Sequence, residues 1–167
     1  EKDRELAQAA SRLRYGKDEW EQASPFWDVP ERNDHTPTLW FDGKETLYHM
    51  CGISPGPTYT SLSPVLRTSR DSGATWSRAR IVSEYNNKPG QSHMPSEPMI
   101  RLNDGSIALA VDGGPLLFIS KDEGLTWFDS VGVVPGIHPG VVQLDNGRLF
   151  TMARGHNIDE RMPIAVS

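Results

Sequence analysis

Short apolar runs closed by tight-turn dipeptides recur along most of this chain, and they predict strands. Thr36-Pro37-Thr38-Leu39-Trp40-Phe41 runs into Asp42-Gly43, Glu97-Pro98-Met99-Ile100-Arg101-Leu102 leads to Asp104-Gly105, and Pro139-Gly140-Val141-Val142-Gln143-Leu144 to Asn146-Gly147. Asp-Gly and Asn-Gly supply the positive φ angles that tight hairpins need, so each predicts a returning strand. These are Thr46 to Met50, Ser106 to Val111 and Arg148 to Ala153. A third run follows each time: Val65 to Ser69, Leu116 to Ser120 and Pro163 to Ser167. Fourth strands are expected over Trp76 to Val82 and Trp127 to Val133. Four antiparallel strands in a unit of roughly 40–50 residues is the pattern of a propeller blade.

The start of the chain reads differently. Leu6, Ala9, Ala10 and Leu13 recur at helical spacing among charges, which predicts a short amphipathic helix over residues 3–14 that Gly16 ends. The chain therefore divides into a helical segment, 1–19, and a β region, 20–167.

Composition narrows the partners. The 167 residues carry Gly 15 and Pro 13, generous numbers that favour short strands and turns over long helices. A net charge of −5 without a basic stripe argues against nucleic acid as a partner. No run of about 18 apolar residues is present to span a membrane, and no secretory leader opens the chain. The single cysteine, Cys51, excludes an internal disulfide; in the apolar run Leu47 to Cys51 it reads as a small buried hydrophobe. No His/Asp grouping has the spacing of a metal site, so neither metal nor cofactor is expected.

One turn motif occurs twice: Ser69-Arg70-Asp71-Ser72-Gly73-Ala74-Thr75-Trp76 and Ser120-Lys121-Asp122-Glu123-Gly124-Leu125-Thr126-Trp127. It resembles the Asp box, or BNR repeat, of the sialidase superfamily. Asn33 to Trp40, Gly136 to Leu144 and Met152 to Gly155 resemble in addition a bacterial, exo-α-sialidase-like branch. The resemblance covers about residues 20–167 and implies an all-β, sialidase-type β-propeller: about three four-stranded blades of a six-bladed ring, preceded by the short helix. It also implies a secreted or periplasmic bacterial protein. The two motifs lie 51 positions apart, and Ser167 follows Ser120 by 47, where a third copy is due. The expectation is a third blade cut short, inactive alone because its site is half walled; ring-completing self-association is the alternative.

Within the motif, Asp71 and Asp122 suit the acceptance of turn amides, Gly73 and Gly124 a left-handed residue, and Trp76 and Trp127 a wedge between sheets. They are expected to be structural. In an antiparallel blade, these turns and the Asp-Gly and Asn-Gly hairpins share one face. The opposite face collects the remaining connections, and most of the histidines and long polar loops fall there. Asp34, His35, Glu97 and His138 should converge on it from three neighbouring blades, with Arg154 leaving an apolar strand beside them. His93, His156, Arg161 and Asp112 are the further candidates for contact with substrate. Arg67 and His49 read as strand residues.

By the resemblance, Arg154 is one member of an Arg triad that holds a sugar carboxylate, Asp34 the acid/base, and Glu97 the residue that activates a Tyr nucleophile in later blades. The substrate is then a carbohydrate, and the activity that of a glycoside hydrolase on a terminal or anionic sugar. Asn33-Asp34-His35-Thr36-Pro37 stands where the family carries Phe/Tyr-Arg-Ile-Pro, which leaves two other readings open. One is a polysaccharide lyase on uronate glycans, in which Arg neutralises a carboxylate and His moves a proton. The other is a non-catalytic glycan-binding propeller.

Overall fold

The computed structural model describes residues 5–56, 61–82, 93–112, 116–130, 134, 136–155 and 158–167. The protein is all-β, with thirteen strands in four antiparallel sheets among the described residues. A two-stranded sheet pairs β1 (Gln8–Ala10) with β2 (Ser24–Trp27). A four-stranded meander follows: β3 (Asp34–Phe41), β4 (Leu47–Ile53), β5 (Ser63–Ser69) and β6 (Arg80–Ile81). A second has the same order: β7 (Ile100–Arg101), β8 (Ile107–Val111), β9 (Leu116–Ser120) and β10 (Phe128–Asp129). The last sheet holds three strands, β11 (Ile137–Gln143), β12 (Leu149–Arg154) and β13 (Ile164–Val166).

The helix expected over residues 3–14 is not formed: Gln8–Ala10 is a strand, and no helix occurs among the described residues. The apolar stripe that suggested it stays largely outside, with Leu6 42% and Leu13 46% exposed. A short helix with no face to bury has little to hold it. The strand instead satisfies its backbone against β2, and Gln8 turns inward to accept a hydrogen bond of 2.9 Å from His49 Nε2.

The middle sheet shows why its sequence alternates so little. One face of β8, through Ile107, Leu109 and Val111, joins Phe118 and Met99 against Tyr48, Met50 and Leu66 of the preceding sheet. The other, Ala108 and Ala110 with Leu117 and Ile119, packs on Val141 of the following sheet. A strand covered on both sides must be apolar throughout, and all five residues of β8 are buried. The last sheet has one covered face only; Val142, Met152, Ile164 and Val166 lie exposed on the other.

Each repeated turn closes on itself. Asp71 Oδ1 accepts from Thr75 N (2.8 Å) and Ser69 Oγ (2.7 Å), and Asp71 Oδ2 accepts from Thr75 Oγ1 (2.6 Å). Asp122 holds Thr126 and Ser120 in the same way. Gly73 and Gly124 stand at φ +79° and +77°, and the indoles of Trp76 and Trp127 donate to their carbonyls. Each of these carbonyls also accepts from an arginine of the preceding part of the chain, Arg12 just after β1 at Gly73 and Arg80 of β6 at Gly124. The β1–β2 sheet thus stands toward the first turn as the β3–β6 sheet stands toward the second.

Candidate functional site

Opposite these turns, the first strand of each larger sheet begins irregularly. In β3, His35 pairs with Gly52 and Thr38 with Met50, so Thr36-Pro37 carries one extra residue. In β11, Ile137 pairs with Arg154 and Gly140 with Met152, which places His138-Pro139 in the same bulge. Before β7, Pro95 stands opposite Val111 and Ile100 opposite Ala108, so the segment leading into β7 again has surplus residues around Glu97-Pro98. Bulges of this kind re-aim side chains and interrupt pairing. Thr36 and His138 both adopt positive φ, +45° and +53°.

His138, Asp112 and Arg154 are brought together. His138 Nε2 lies 3.3 Å from Asp112 Oδ2, and the His138 backbone N–H donates to Asp112 Oδ1. Arg154 Nε donates to His138 Nδ1 at 3.3 Å. An arginine only donates, so Nδ1 accepts and the ring proton sits on Nε2, facing Asp112. Ser96 Oγ adds a third hydrogen bond to Asp112, at 3.2 Å. The Asp112 side chain is 7% exposed and that of His138 37%, while Arg154 is exposed. The cluster therefore runs from a buried acceptor, through an orienting imidazole, to a guanidinium that meets solvent.

His35 belongs to the same neighbourhood. Burial, and then the charge of His138, hold its pKa below the usual imidazole value. Asp34 precedes it but is committed elsewhere: Oδ1 accepts from Trp27 Nε1 (3.1 Å) and Oδ2 from Val29 N (2.7 Å). Burial raises the Asp34 carboxyl, and these two donors oppose the rise. Its carboxylate caps the turn between β2 and β3.

The other candidates are dispersed. Glu97 is exposed beside Pro98 and Ile100, in a groove of about 410 Å³ shared with Val142, Phe150 and Met152. His93 is buried, its ring edge-on to Phe118 at 6.1 Å, and burial lowers its pKa. Arg161 is exposed and exchanges backbone hydrogen bonds with Ile158. His156 lies outside the described residues.

A second cation is buried against the first sheet. Arg67 stacks on Trp27 (4.1 Å), Phe26 (4.7 Å) and Trp76 (5.2 Å) and donates to His49 Nδ1. Burial, then the neighbouring guanidinium, pushes His49 down to about 3, so its ring is neutral and its Nε2–H donates to Gln8 Oε1. This stack fastens the first sheet to the next. Thr36 is the residue that the choice of charged and imidazole side chains passed over; the signal for it was the recurring X-Pro dipeptide: Thr36-Pro37, Glu97-Pro98, His138-Pro139.

Fold and site together define an all-β protein of antiparallel meanders that gathers a His, an Asp and an Arg at one end of its sheets. No family model matches the chain, and no curated protein matches it. Among solved structures, the crystal structure of a protein of unknown function from Dyadobacter fermentans DSM 18053 is similar, with a TM-score of 0.72 at 15% identity. The match covers 96% of this chain and 54% of that one, so the chain spans about half the length of that structure. At this identity the likeness concerns the fold alone.

Proposed function

We propose that the protein is a sialidase-superfamily β-propeller, its sheets the blades, and a secreted or periplasmic glycoside hydrolase that acts on a terminal, anionic sugar. The observation that carries this reading is the Asp112–His138–Arg154 cluster at the end of the sheets opposite the repeated turns. Arg154 holds the sugar carboxylate through a charge-assisted pair. Drawing the guanidinium to substrate uncovers the His138 Nδ1 lone pair, while Asp112 keeps the Nε2 proton in place. His138 then takes a proton from water; the hydroxyl goes to the anomeric carbon, the glycosidic C–O bond breaks, and the proton goes to the leaving oxygen.

The natural full-length protein should release free sugar from sialyl or uronyl glycosides, and Arg154→Ala should lower turnover by about a hundredfold or more. Unchanged turnover in that variant overturns the assignment. The commitment of Asp34 to Trp27 and Val29 favours a second reading, since it removes the carboxylate expected as acid/base. In a lyase, His138 takes the proton from the carbon beside the carboxylate, the C–O bond on the next carbon breaks, the leaving oxygen takes up that proton, and an unsaturated uronate forms. Ultraviolet absorbance of that product, without net uptake of water, selects the lyase.

A further inference from the structure

The strand openings single out one side chain that the Asp112–His138–Arg154 cluster does not include. By register, Thr36 in β3 and His138 in β11 occupy the same place in equivalent bulges, each before a proline. Both are left-handed, at φ +45° and +53°. That conformation is uncommon for any residue with a side chain, a genuine outlier for a β-branched one, and unfavourable before proline. Such backbone persists where the surroundings impose it, and it clusters at ligand sites.

Two further observations join Thr36 to the candidate site. Its neighbour His35 lies within electrostatic reach of His138. Its Oγ1 is buried and has no hydrogen-bond partner among the described residues. A buried hydroxyl without a partner is unfavourable, and a ligand group that pairs with it removes that cost.

We propose that Thr36 is a sugar-contacting, specificity-determining residue, whose Oγ1 pairs with a hydroxyl of the same anionic sugar that Arg154 holds by its carboxylate. This rests on the carbohydrate reading of the site. Thr36 and His138 are then matched contacts from two sheets, one reading a hydroxyl and the other orienting the guanidinium.

The test is calorimetric binding of the methyl glycosides of N-acetylneuraminic acid and of glucuronic acid to the natural full-length protein and to two variants of it. Thr36→Val keeps the branched shape and removes the hydroxyl; Thr36→Ser keeps the hydroxyl. The expected result is saturable binding of one acid by the parent chain, weakened about fivefold to tenfold in Thr36→Val and retained in Thr36→Ser. Thr36→Ala gives the same reading if the valine variant does not fold. Equal affinity in the parent chain and in Thr36→Val overturns the role of Thr36 and leaves the proposed function standing. No binding of either acid by the parent chain overturns both.

Discussion

At the end of the sheets that carries Asp71 and Asp122, turn donors meet both carboxylates, and side-chain hydrogen bonds from Thr75 and Thr126 hold each carboxyl down at about 2. At the opposite end, strands begin in bulges, and the Thr36 hydroxyl is buried without a partner among the described residues. The first end has spent its polar groups on its own backbone. The second keeps an imidazole and a guanidinium partly in solvent. The contrast separates a self-satisfied end from the end where the candidate residues gather, and it places the twice-repeated motif at the end without the candidate chemistry.

Acid should break the balance between the ends most strongly. A buried imidazole with a depressed pKa adds stability that is fully present above the unfolded value near 6.5 and is lost as pH falls below it. For His49 the loss runs from about 6.5 down to about 3, at up to ~1.4 kcal/mol per pH unit. His35 and His93, also shifted down, add to it. The Asp71 and Asp122 contributions are present above the unfolded carboxyl value of 3.8 and are lost only as pH falls toward about 2. Denaturant midpoints should therefore fall between pH 6.5 and 4.5, before those turns titrate, and less steeply in His49→Gln. An identical slope in that variant removes His49 from the account.

A smaller effect probes the turn end directly. A Cβ on Gly124 meets Leu66 Cδ2 at 3.1 Å, with φ at +77°. Gly124→Ala should cost about 1–2 kcal/mol in a chemical melt, from the left-handed conformation alone. A neutral result means that the turn yields without disturbing the sheet before it. Smallest is the stability effect at the other end: Arg154→Ala should stay within about 0.5 kcal/mol, because its side chain is exposed and, among the described residues, hydrogen-bonds to His138 alone. A large loss of stability there makes Arg154 a structural residue and erases the contrast.

Most of the β architecture was legible because hairpin dipeptides and apolar runs act locally. Leu116–Ser120 falls on its expected span, and Asp42-Gly43, Asp104-Gly105 and Asn146-Gly147 each join two paired strands. Residues 5–14 were misread because helical spacing of Leu6, Ala9, Ala10 and Leu13 says nothing of which face is covered; pairing with Ser24–Trp27 decided the outcome. The site was legible in part. His138, Arg154 and Asp112 meet, but sequence had no means to show that Asp34 serves Trp27 and Val29, or that Glu97 faces a different groove. These depend on bulge geometry and neighbouring sheets, which no local pattern encodes.

The most direct test of the contrast is a resonance-by-resonance titration of isotope-labelled protein with the methyl glycoside of N-acetylneuraminic acid, then with that of glucuronic acid. Saturable shifts at His35, Thr36, Asp112, His138 and Arg154, with Ser69 to Trp76 and Ser120 to Trp127 unmoved, are the predicted result. Shifts centred on the two repeated turns, or no saturable shift with either sugar, contradict the assignment of the ligand-receiving end.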